Sequence, residues 1–197
     1  MLRGFALAVD RLNEWIGRGT WYITLAMVLV GAYTAVVRFL SNLAYTKAGA
    51  ETAFDRILFS VGEIALRLTS NTVIELQWYL FSLVFLLGAA YTLKHDAHVR
   101  VDVFYSRLPM RSRAWINIVG TVLFLIPFCV LMCWTSWSTV VDSWARLEGS
   151  PDPGGLPRYP LLTVIPVAFL LLMLQGVAIL IREISILRGP QPPPSVT

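Results

Sequence analysis

Charge is what this sequence has least of. Asp, Glu, Lys and Arg make up 14% of its 197 residues, where soluble domains carry about 25%. With 56% hydrophobic residues and a mean hydropathy of +0.65, that deficit excludes an ordinary soluble domain and points to a polytopic membrane protein. Cysteine is nearly absent as well: Cys129 and Cys133 lie four apart inside an apolar run. They are expected as packed thiols, which behave as small hydrophobes, rather than as a disulfide or a metal pair. Histidine is limited to His95 and His98, both in one loop with Asp96 between them. Nothing beside them completes a zinc sphere, and both lie in one segment rather than on two facing helices, where a bilayer haem would be gripped. No phosphate loop, nucleophile elbow or metalloprotease motif occurs, so the chain is not read as an enzyme and no cofactor or metal is assigned to it.

What the chain does have is four long apolar runs, at about 21–40, 76–93, 115–137 and 161–181, each near the roughly 20 residues a helix needs to cross a bilayer. Aromatic residues sit at their ends: Trp21 and Tyr22, Trp78 and Tyr79, Trp134 and Trp137. The expected fold class is therefore an all-α membrane protein with four transmembrane helices. Pro127 falls inside the third run and Pro166 early in the fourth; the first is expected to kink its helix. Gly88, Ala89 and Ala90 close the second run with small residues that let another helix approach.

The formal net charge of +4 and pI near 9.3 come from cations that gather beside these runs, so the basic balance is a membrane signature and not one of nucleic acid. The stretch 89–115 between runs two and three holds Lys94, Arg100, Arg107, Arg111 and Arg113. Counting Lys and Arg by side puts ten with both termini and this loop, against five in the other two connections. By the positive-inside rule, both termini are expected in the cytoplasm.

Two further segments read as amphipathic helices lying at the interface. In 1–18, Leu2, Phe5, Val9, Leu12 and Ile16 share one face, with Arg3, Asp10, Glu14 and Arg18 opposite. In 52–69, Arg56, Ser60, Glu63 and Arg67 form a polar stripe opposite Phe54, Ile57, Leu58, Val61, Ala65 and Leu68. The chain is thus divided into an interfacial helix (1–18), a four-span membrane domain (19–188) and a disordered Pro-rich tail (189–197).

Several polar residues stand out. Arg100 and Asp102 alternate with Val99, Val101 and Val103, which in an extended segment puts both charges on one face. They suit either a hook for another subunit or a solvated turn. Glu75 opens the second run, where a carboxylate favours a helix N-terminus. Gln175 lies deep in the fourth, where bonding to another helix is the expected use. Val140–Pro160 reads as a loop, with SPDPGG and LPRYP in it and Arg146, Glu148, Asp152 and Arg158 around the turn.

The order of the runs, HVRVDVFY at 98–105 and IPVAFLLLMLQGVAILIREI at 165–184 resemble the small membrane subunit of tripartite ATP-independent periplasmic (TRAP) transporters, the DctQ-like family. The resemblance runs from about Glu75 to Arg188, and departs from the family pattern at Ala168, where a glycine is usual. It implies a scaffold role in a complex with a large multi-span subunit, which carries the sodium and organic-anion sites and moves as an elevator, and with a periplasmic substrate-binding protein. It also implies a bacterial inner-membrane location. On that reading His98, Arg100, Asp102, Glu75, Trp78 and Gln175 are expected at the subunit interface or as a structural lock, and Arg146, Glu148, Asp152 and Arg158 as contacts for the binding protein. The competing classes are a redox membrane anchor holding quinone or haem, and a freestanding four-helix assembly factor.

Overall fold

The computed structural model describes residues 2–46, 57, 60, 71–95 and 108–188. Among these the ordered elements are all helical: α1 (Leu2–Thr46), α2 (Asn71–Lys94), α3 (Met110–Gly120), a π-helical turn (Thr121–Leu125), α4 (Ile126–Arg146) and α5 (Tyr159–Arg188). The turn joins α3 to α4, so four helical stretches are long and apolar enough to cross a membrane: Gly4–Asn42, Asn71–Lys94, Met110–Arg146 and Tyr159–Arg188. Their outer faces are greasy, with Leu25, Leu29, Phe85, Phe124 and Trp134 more than half exposed. A helix facing lipid has no reason to hide such side chains. The interfacial helix expected at 52–69 and the tail at 189–197 fall outside the described residues, apart from the isolated positions 57 and 60.

The N-terminal segment differs from the sequence reading in two ways. No break separates 1–18 from the first span; α1 runs through Gly17, Arg18 and Gly19 as one 45-residue helix. No proline interrupts it, and isolated glycines lower helix propensity without ending a helix held by tertiary contacts. Its buried row is also not the anticipated apolar face. Ala6, Val9, Asp10, Asn13 and Gly17 turn inward at three- and four-residue spacing, while Phe5 and Leu12 are each 43% exposed. Polar residues were assigned outward because water is the default partner for a carboxylate; here α5 supplies the partners instead.

The chain divides into two compact units. The first comprises Met1–Arg18, Leu86–Ser138 and Ile165–Thr197; the second comprises Gly19–Phe85 and Thr139–Val164. In the first unit Ala6 and Val9 of α1 pack on Ala178 of α5, flanked by Leu174 and Ile181. Two glycines allow backbones to meet. A Cβ on Gly17 would fall 2.1 Å from the Tyr91 ring of α2, and one on Gly176 would fall 2.8 Å from Leu125 Cδ2 in the π-turn. That turn lies just ahead of Pro127. The ring offers no N–H to the preceding turn, and the wider π geometry, in which Ile126 N–H reaches back to Thr121 O, accommodates the gap inside a continuing helix. Cys129 and Cys133 are free, with Cys129 fully buried and the Cys133 thiol donating to the Pro166 carbonyl at 3.6 Å. Phe128 meets Phe169 edge to face at 5.6 Å.

In the second unit α4 continues helical to Arg146, six residues past the position where the sequence suggested a loop. The helix ends where Leu147 turns left-handed (φ 48°), just before Gly149 and Pro151. Trp144 donates its indole N–H to Thr163 Oγ at 2.8 Å and stacks edge-on against Tyr159 at 4.6 Å, tying the end of α4 to the start of α5.

Candidate functional site: two polar assemblies

In the second unit the polar side chains at the start of α2 hold the 147–158 loop. Glu75 is the centre. Its carboxylate accepts the Leu156 backbone N–H at 2.6 Å and the Ser150 hydroxyl. One turn either side, Asn71 donates to the Pro153 carbonyl at 3.1 Å, Thr72 to that of Gly154, and Tyr79 to that of Leu156 at 3.2 Å. These spacings, 71, 72, 75 and 79, put all four donors and acceptors on one side of a helix. The loop has no secondary structure to satisfy its backbone, and α2 supplies that satisfaction from side chains. Glu75 was expected to favour the helix start electrostatically; its oxygens are instead used to order a segment some 80 residues away in sequence.

Beside this clasp lies a cleft of 460 Å³ bounded by Ile74, Trp78 and Ser82 of α2, by Leu161 and Leu162 of α5, and by Glu148, Asp152 and Arg158 of the loop. The Arg158 backbone N–H donates to the Glu148 carbonyl at 2.9 Å, which brings these two positions together. Of the four loop residues singled out from sequence, Glu148, Asp152 and Arg158 line this cleft; Arg146, exposed in the last turn of α4, does not.

In the first unit the assembly is buried and links helices. Gln175 is fully enclosed; it accepts from Asn13 Nδ2 at 2.7 Å and donates to Asp10 Oδ1 at 3.1 Å. Asp10 also pairs with Arg182, two turns on from Gln175 along α5. The order of donors is forced: Asp10 can only accept, so Gln175 must turn its amide nitrogen toward it and its oxygen toward Asn13. Asn13 Oδ1 is then left buried without a partner among the described residues. Farther along the same helix, Glu14 receives Lys94 Nζ at 2.5 Å and His95 Nε2 at 3.0 Å from the end of α2, and Arg18 at 3.1 Å. The His95 ring rests on Tyr91 at 4.4 Å, the residue that Gly17 admits. Asn117 of α3 donates to Glu183 of α5 at 2.7 Å.

Gln175, expected to bond to another helix, is fully buried and does so to Asn13 and Asp10. His98, Arg100 and Asp102 lie outside the described residues. Among the described residues no cluster of His, Cys, Asp and Glu is arranged to hold a metal ion. Sequence reasoning missed Asp10, Asn13, Glu14, Lys94 and Arg182. The signal was present as Asp10, Asn13 and Glu14 at three- and four-residue spacing and as Gln175 and Arg182 seven apart, two polar stripes that match only once the helices are side by side.

Four apolar helices, with their polar side chains joining helix to helix and helix to loop, define an integral membrane protein of the α-helical class. Residues 58–185, well over half of the chain, match the family model for tripartite ATP-independent periplasmic transporters, DctQ component, and the chain belongs to that family. Neither a curated protein nor a solved structure gives a significant match.

Proposed function

We propose that this chain is the small membrane subunit that braces the large, elevator-type subunit of a TRAP transporter during sodium-coupled, binding-protein-dependent uptake of an organic anion across the bacterial inner membrane. Family membership supports the transporter assignment. The observation that favours a bracing role is the inward engagement of the polar groups. Gln175, Asp10, Asn13 and Arg182 bond to one another between α1 and α5, whereas a solute or sodium path needs polar groups turned toward an open cavity near the bilayer midplane. The redox-anchor reading gains nothing from His95, whose ring nitrogen meets Glu14.

On this proposal His98, Arg100 and Asp102 form the lock onto the large subunit, both termini lie in the cytoplasm, and the loop carrying Arg146, Glu148, Asp152 and Arg158 faces the periplasmic binding protein. Affinity-tagged chain co-expressed with the large subunit tests the lock. Asp102→Ala and Arg100→Ala should each lower recovery of the large subunit and lower uptake in proportion, with the small subunit still inserted. Full recovery in both variants removes the lock. Orientation is checked by single cysteines at Ser106 and Ser150 in a background lacking Cys129 and Cys133. Impermeant reagent should label only the second in intact cells, and the reverse pattern defeats the topology.

A further inference from the structure

The cleft beside the Glu75 clasp combines three features that its role in holding the loop does not explain. First, its charges do not cancel. Glu75, Glu148 and Asp152 line it beside a single cation, Arg158, whose charge also acts on Glu75. Glu75 is occupied by Ser150 and Leu156. Besides Glu75, the space thus presents the carboxylates of Glu148 and Asp152 and the guanidinium of Arg158, a constellation complementary to a zwitterion with an ammonium at one end and an anion at the other.

Second, one wall is a stripe along a membrane helix. Ile74, Trp78 and Ser82 recur every four residues on α2, and Leu161 and Leu162 of α5 extend the apolar lining. Such a stripe leads from the level of the loop down along the span. Third, Trp78 is 71% exposed although it borders the cleft. An indole in that place is the usual marker of the headgroup level, and its face attracts cations.

A volume of 460 Å³ is of small-molecule size. It takes a polar headgroup but not a whole diacyl lipid, whose chains must continue along the Ile74, Trp78 and Ser82 stripe. We propose that this cleft binds a zwitterionic phospholipid by its phosphoethanolamine headgroup. The ammonium donates to Glu148 and Asp152 beside the Trp78 ring, and the phosphate lies on Arg158. A primary ammonium fits better than a quaternary one, because only the first has N–H bonds to offer two carboxylates. This inference narrows the contact area for the binding protein, leaving it Arg146 and the loop tip. It rests on the cleft and on membrane membership, and stands whether or not the chain braces a transporter.

Native mass spectrometry of the purified full-length chain tests it, with dioleoyl phosphatidylethanolamine, phosphatidylcholine and phosphatidylglycerol as separate probes. The ethanolamine lipid should be retained best. The double substitution Glu148→Gln/Asp152→Asn should weaken its retention by about fivefold, the loss of roughly one exposed charge pair. The same variant should hold phosphatidylglycerol no less well than the parent, which also shows that it is folded. Arg158→Gln should weaken both phosphatidylethanolamine and phosphatidylcholine. Three outcomes overturn the proposal. One is equal retention of all three lipids with no effect of the double substitution. Another is displacement by free O-phosphoethanolamine at concentrations similar to the lipid, which makes a soluble amine the occupant. The last is unchanged lipid retention with weakened capture of the substrate-binding protein, which makes the cleft a protein contact.

Discussion

Two carboxylates, Asp10 and Glu75, anchor the polar assemblies of the two units, and they do opposite work. Asp10 is buried and joins one helix to another through Gln175 and Arg182. Glu75 is only partly covered and joins a helix to a loop through a hydroxyl and a backbone N–H. Leaving Asp10's partners unmatched strands a fully buried amide and a half-exposed guanidinium between two helices, a cost borne by the whole bundle. Leaving Glu75's partners unmatched returns them to water, a cost borne only by the order of the loop. The chemistry of the acceptor is the same; what surrounds it decides whether its loss is global or local.

The largest expected effect follows from Asp10. Asp10→Ala strands Arg182 and the Gln175 amide, and should destabilise the bundle by about 3 kcal/mol, with the partial exposure of Arg182 keeping it at the lower end of the range for broken pairs. Unfolding in mixed detergent micelles measures it. Gln175→Leu should cost less, about 1 kcal/mol for each interhelical bond removed. The two changes together should fall short of additivity because they share a hydrogen bond. Additive losses would mean that the two side chains act independently, and the contrast with Glu75 would lose its basis.

A smaller effect of the same global kind comes from Gly17. The added methyl of Gly17→Ala meets the Tyr91 ring, and overpacking of this sort costs about 1–3 kcal/mol. It should also loosen the Glu14 contact with Lys94 and His95, which lies one turn away. Tyr91→Ala in the same chain should recover most of the loss in the same micelle assay. Failure of that rescue would place the origin of the effect elsewhere than the helix contact.

The smallest effect, a local one, belongs to Glu75. Glu75→Gln keeps the shape of the side chain but replaces one accepting oxygen with a donor. Hydrogen exchange at the Leu156 amide should speed up several-fold while the micelle unfolding curve stays in place. A shift of that whole curve would show that the loop clasp is coupled to the fold and would erase the distinction between the two carboxylates.

The helices and their order were legible because crossing a bilayer demands long apolar runs, and among these four only Arg38, near the end of the first, interrupts with a charge. The position of Pro127 was equally plain, although what stands just before it is a π-turn. Where α4 stops was misplaced because no residue in VVDSWAR forbids a helix; the stop signals begin at Gly149. The inward polar face of α1 was hidden for a different reason. Asp10 and Asn13 find their partners more than 160 residues away, and periodicity within one segment reports only how its own residues are arranged. Glu75 was singled out from its position, but its ties to Ser150 and Leu156 required the loop to fold back, which no local pattern encodes.

The π-turn at Thr121–Leu125 also sets the angular phase of the helix that follows. A π-turn is equivalent to one residue inserted into an α-helix, so every side chain after it is rotated by about 100° from where an unbroken helix would carry it. Ala114 before the turn and Cys129 after it are both buried. Closing the turn into regular α-helix without removing a residue would swing Cys129 away from its packing, while deleting one residue between Thr121 and Leu125 would restore a regular helix and keep the phase. The helix thus holds one extra residue as a twist, and the length of the turn matters more than the identity of the residues that supply it.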